Sequence, residues 1–138
     1  MKQEKSCGCI VINDKNEVLL VHHNKGHWDF PKGHVEIGET EVETAIREVK
    51  EETNIDVEVN EKYRYIVEYS PKEDVVKEVV FFLAKNINND KNAQLEEVYE
   101  VEWIKLDEAI EKITYNTSKE VLKKAKRDLE NIKTNIIK

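Results

Sequence analysis

The sequence predicts one α/β domain of the α+β kind, a mixed sheet with helices packed on it. Short apolar segments flank a single strongly periodic helical stretch, and two further helical stretches close the chain. The order is therefore strands, helix, strands, helices, not a regular strand–helix alternation. The length, 138 residues, suits a single domain with its own core.

Cys7 to Ile12 alternates small and apolar residues and predicts a strand. Asn13-Asp14-Lys15-Asn16 is a turn cluster, and Val18 to Val21 reads as the returning strand of a hairpin. Asn24 to Gly38 carries three of the four glycines and a proline, so it reads as mostly loop. Thr40 and Glu43 form a capping-box pattern. Val42, Ala45, Ile46 and Val49 follow as an apolar stripe, and Asn54 is a plausible left-handed stop. Val57 to Tyr69 and Val75 to Ala84 predict two long strands joined near Ser70-Pro71. Asn86 to Asn92 reads as loop and Val98 to Ile104 as another strand. Leu106, Ala109, Ile110 and Ile113 suggest a short helix. Val121, Leu122, Ala125, Leu129, Ile132 and Ile136 suggest a longer one with one apolar face.

Composition narrows the function classes. Hydrophobic residues make up 39% and charged residues 37%, a foldable balance. The net charge of -7 argues against stable nucleic-acid binding, because a phosphate backbone would be repelled. A small polyphosphate could still bind through metal ions. No segment is long and apolar enough to span a bilayer, and the first residues lack the apolar stretch of a secretory signal. Cys7 and Cys9 read as reduced core thiols, so a cytoplasmic location is expected. The chain is expected to be a monomer or homodimer.

The segment from Glu39 to Glu52 is the most informative. With the apolar stripe as the buried side, one flank holds Glu43, Arg47 and Lys50, which can pair among themselves. The other holds Glu41, Glu48 and Glu52, with Glu51 one step further round, and no basic residue among them. Glu48 and Glu52, four residues apart, cost roughly 0.2 to 0.5 kcal/mol in repulsion. They also lie towards the helix C-terminus, where negative charge is disfavoured. A cation between them would resolve the conflict, and hard carboxylate oxygens favour magnesium or manganese. The plainer reading is a solvated acidic face.

The preceding loop favours the cation. Trp28, Phe30, Pro31, Lys32, Gly33, His34 and Gly38 lead directly into the helix. Gly33 lets backbone approach a ligand closely, and Lys32 offers a point charge for phosphate. Carboxylates that hold a cation beside such a lysine suit phosphoryl chemistry. His22, His23 and His27 lack partners at metal-ligand spacing.

At this point the residues resemble the Nudix box. Gly33, Glu39, Arg47-Glu48-Val49, Glu51-Glu52 and Ile55 stand at that family's spacing, with Asn54 where it usually has glycine. The resemblance implies an α/β/α sandwich with a central mixed sheet, a single domain over residues 1–138 and the box at 33–55. It implies that Glu48, Glu51 and Glu52 bind divalent ions with help from the Gly33 carbonyl. Arg47 would orient the acids and Glu39 would anchor the box. A later acid, Glu97 or its neighbour Glu96, would bind metal or activate water.

Outside the box, the run Gly26 to Glu36 resembles the family's asymmetrical diadenosine tetraphosphatase branch, with Phe30 where that branch often has a second proline. The resemblance implies that Lys32, His34 and Lys77 contact polyphosphate and that Tyr115 and Tyr69 stack on adenine. The expected reaction is metal-dependent attack of water on diadenosine tetraphosphate, giving ATP and AMP. RNA 5'-triphosphate ends, ADP-ribose and oxidised nucleotides are the rival substrates. A non-catalytic nucleotide sensor is the rival from another class.

Overall fold

The computed structural model describes residues 2–24, 26–88 and 98–137. Its strands are β1 (Lys2–Ile12), β2 (Glu17–His23), β3 (Trp28–Asp29), β4 (Lys32–His34), β5 (Val57–Lys72), β6 (Val75–Asn86) and β7 (Val98–Lys105). Its helices are α1 (Glu41–Thr53), α2 (Leu106–Lys112) and α3 (Asn116–Ile137). The main order across the sheet is β3-β2-β1-β6-β5, with β4 also on β1 and β7 also on β2. The β1–β6 pairing is parallel and the others antiparallel, so the sheet is mixed, as expected.

Adjacent residues of the central strands feed opposite faces, as the two-residue strand period requires. Cys9, Leu19 and Phe82 pack in one cluster with Ala45 and Val49 of α1. Ile10, Leu20 and Phe81 pack in the other with Leu106 of α2 and Leu122 of α3. The two layers of helices sandwich the sheet. Both cysteines are buried and free, and both lie on the α1 side.

Several elements differ from expectation. β1 begins at Lys2, because its polar first half pairs with β6 from Lys2↔Val75 onward while showing no apolar pattern. The segment before α1 contains β3 and β4, too short to show a period. The β5–β6 turn is not at Ser70-Pro71 but at Glu73-Asp74, where Asp74 has φ 65. Pro71 lies within β5 at the end of the main strand order, where a missing N–H is tolerated. The first hairpin turn is as expected: the Asn13 side chain accepts from the Lys15 and Glu17 amides at 3.0 and 2.9 Å.

α1 carries the capping box in full. Thr40 Oγ1 accepts from Glu43 N at 3.1 Å, and Thr40 N donates to Glu43 Oε1 at 2.9 Å. Asn54 ends the helix at φ 61, ψ 19. The buried face is rotated from the expected stripe. Ile46 is 38% exposed, whereas Thr44, Ala45, Val49, Glu52 and Thr53 are buried. Glu52, expected on the acidic flank, thus faces the core.

Candidate active site

β4 places Lys32, Gly33 and His34 opposite Gly8, Cys7 and Ser6 of β1, at the edge of α1. Lys32 N donates to Glu52 Oε1 at 2.8 Å. Glu52 is 1% exposed, so its carboxylate lies beneath the strand, not on a solvent flank. The Glu48 side chain is 12% exposed and lies directly against Gly33. A β-carbon at Gly33 would fall within the Glu48 carboxylate, so glycine is what lets that carboxylate lie against the strand.

Arg47 organises the acids, contrary to the expected pairing with Glu43 and Lys50. Glu43 serves the helix cap, and Lys50 pairs with Asp56 at 3.2 Å. The Arg47 guanidinium donates to Glu39 twice, to Glu48 Oε1 at 2.7 Å, to both Glu51 oxygens at 3.2 Å and to the His34 carbonyl at 3.0 Å. The acidic flank is therefore compensated. Only the Arg47 to Glu51 pair lies at the four-residue spacing; the rest of this compensation is not revealed by helical spacing. Glu41 is likewise held by Arg64 at 2.7 Å and Lys5 at 2.5 Å, apart from the other acids. Hydrogen bonds from Arg47 hold the Glu39 carboxyl down to about 2, and those from Arg64 do the same for Glu41.

Among the described residues, no three His, Cys, Asp or Glu side chains are already gathered around a metal position. Glu48 and Glu51 lean on Arg47, while Glu52 bonds the β4 backbone. The donors nonetheless suit a hard divalent cation: carboxylates at Glu48 and Glu52, with the close approach at Gly33 beside them. Glu96 and Glu97 lie outside the described residues.

Two cavities meet at Lys32. One, of about 350 Å³, is lined by Ser6, Lys32, Gly33, His34, Glu48 and Lys77 among others. Burial, and then the neighbouring Lys32 charge, lowers the Lys77 pKa, as expected of two ammonium groups sharing one opening. The other cavity, of about 600 Å³, is lined by Lys32 together with His27, Asp29, Tyr69, Tyr115 and Ser118. Tyr69 and Tyr115 are 41% and 45% exposed at this cavity. Hydrogen bonds between Trp28 and Thr114, in both directions at 2.8 and 3.1 Å, set Tyr115 beside His27.

Trp28 itself stays out of that cavity. It stacks on His22 at 4.4 Å with Lys112 over its ring. Phe30, at the pre-proline position, is fully buried edge-on against Phe81. Asp29, buried at 3%, and Ser118 were missed as cavity residues. A two-residue strand and a helix start offer no pattern from which to pick them.

A glycine that opens onto a carboxylate-bearing helix, on a mixed sheet between helices, is the arrangement of a Nudix hydrolase. The chain belongs to that family, for the NUDIX domain model matches residues 2–125. The chain is 33% identical over 133 residues to the asymmetrical bis(5'-nucleosyl)-tetraphosphatase of Sus scrofa, covering 86% of this chain and 90% of that protein. It is 35% identical over 129 residues to the Caenorhabditis elegans protein of the same name, covering 87% and 92%. The crystal structure of a C. elegans Ap4A hydrolase binary complex superposes with a TM-score of 0.84 at 31% identity, covering 93% and 98%.

Proposed function

We propose that the chain is a divalent-metal-dependent hydrolase of dinucleoside polyphosphates that splits diadenosine tetraphosphate into ATP and AMP. The observation that carries this reading is the position of Lys32 at the junction of an aromatic cavity and a carboxylate cavity. A base and its polyphosphate need two such compartments side by side. The similarity to two asymmetrical tetraphosphatases over most of both chains supports the same substrate.

In this reading Tyr69 and Tyr115 stack on adenine, since an aromatic face binds a base without reading its edge. Lys32, Lys77 and His34 hold phosphate oxygens. Magnesium or manganese held by Glu48, Glu51 and Glu52, with the Gly33 carbonyl, would neutralise the anhydride and activate water. Arg47 keeps the Glu48 and Glu51 carboxylates near that position. A glutamate takes the proton of the attacking water: Glu52 or Glu48, or Glu97 beyond the described residues. The free, buried thiols suit a reducing cytoplasmic compartment.

A substrate panel in saturating magnesium tests the reading, with Glu52→Gln as the control. Diadenosine tetraphosphate should turn over fastest, yielding equal ATP and AMP, and chelation should stop the reaction. Faster turnover of ADP-ribose or an oxidised nucleotide would overturn the substrate. Nucleotide binding without turnover would favour a sensor.

A further inference from the structure

Asp29 takes no part in the phosphate chemistry, yet it lines the aromatic cavity and is 3% exposed. Burying a carboxylate is costly unless something uses or satisfies it. Its Oδ1 accepts the Phe30 amide at 2.8 Å, and its Oδ2 stands 3.9 Å from Lys32 Nζ. Ser118 lines the same cavity. A carboxylate can accept about four hydrogen bonds, so acceptor capacity remains.

Its place along the cleft gives this capacity a use. Lys32 stands at the end that opens to the carboxylate cavity, and Tyr69 and Tyr115 line the same cavity as Asp29. In a nucleotide the sugar lies between base and phosphate. With the base on the tyrosines and phosphate at Lys32, the sugar falls beside Asp29. We propose that Asp29 accepts hydrogen bonds from the ribose hydroxyls and so makes the site select ribonucleotides over 2'-deoxyribonucleotides. An amino group on the base is the other donor a nucleoside offers. It lies at the end of the base away from phosphate, whereas Asp29 is at the lysine end. The proposal rests on the reading of this cavity as the nucleoside compartment.

The test is calorimetric titration of the protein with ATP and with 2'-deoxyATP in magnesium, beside hydrolysis of diadenosine tetraphosphate. A hydrogen bond to a charged group corresponds to roughly 10- to 100-fold in affinity, so ATP should bind at least about tenfold more tightly. Asp29→Ala should bring the ratio to within about twofold of unity, and Asp29→Asn to an intermediate value. A loosened fold would weaken both ligands together and leave the ratio unmoved. A wild-type ratio below about threefold, or one unchanged in both variants, overturns the proposal. Should neither variant fold, the wild-type ratio decides. ATP binding with discrimination but no hydrolysis would overturn the proposed activity alone. Hydrolysis without discrimination would overturn the ribose contact alone, and no ATP binding would overturn both.

Discussion

Arg47 grips Glu39 in a parallel fork, Nε to Oε2 at 2.7 Å and Nη2 to Oε1 at 3.0 Å. Glu39 also accepts from Thr44 Oγ1 at 2.8 Å and from the Glu36 amide at 3.0 Å. The fork ties the loop before α1 to the helix and aims the remaining Arg47 donor at Glu48 and Glu51. Lysine keeps the charge but cannot make this geometry. Arg47→Lys should therefore lower kcat by at least about tenfold, because small displacements of reacting groups cost up to about 100-fold. Steady-state kinetics check this, and a kcat near wild type would refute it.

Gly33→Ala should act on the site more than on the fold. The added carbon would occupy the space of the Glu48 carboxylate. That carboxylate is the far end of a flexible side chain and can swing aside. We expect a melting temperature near wild type and weaker manganese binding by titration, because the Glu48 carboxylate is displaced. Undiminished manganese affinity would show that Glu48 has no part in holding the ion.

Glu52→Gln should separate stability from activity. Glutamine retains an oxygen for the Lys32 amide while removing a charge from a site only 1% exposed. Burying a charge is costly, so the melting temperature should hold or rise. Activity should fall by at least about 100-fold, as is common when a function-bearing polar group is replaced. A parallel loss of both would mean that Glu52 is structural.

Acid should destabilise the fold through Glu39 and Glu41. Both carboxyls are held at about 2, below the ordinary value of 4.5, by Arg47 and Arg64 respectively. A lowered folded-state pKa gives stability that is fully present above the unfolded value and is lost as pH falls through the folded one. Thermal melts should change little from these groups between about pH 7 and 5, then fall steadily towards pH 2. Arg47→Gln should flatten part of that decline.

Tyr115→Ala should raise KM by roughly 5- to 100-fold while Tyr115→Phe stays near wild type, since the ring face and not the hydroxyl supports a base. Equal effects of both substitutions would remove Tyr115 from the base-binding surface.

The helix and its ends were legible because each signal is local. Thr40 and Glu43 lie within one turn, and Asn54 tolerates the left-handed conformation it adopts. The face of the helix was less legible. Ile46 and Glu52 exchange their expected environments, because apolar periodicity assigns every carboxylate to water. The partners of the acids were hidden for another reason. Arg64 and Lys5 reach Glu41 from other strands, and Lys32 reaches Glu52 across 20 residues of sequence. Asp29 was hidden by the brevity of its strand. The Ser70-Pro71 turn was misplaced because proline also fits a strand at this end of the sheet.

The parallel union of β1 and β6 also has a kinetic consequence. Lys2 to Ile12 run beside Val75 to Lys85, so the opening strand has its longest partner more than half the chain away. Closing so large a loop is entropically costly, and topologies dominated by such distant pairings fold slowly. During synthesis on the ribosome, the apolar stretch from Cys7 to Ile12 emerges well before that partner. Until β6 arrives that stretch lacks its longest partner and is open to aggregation.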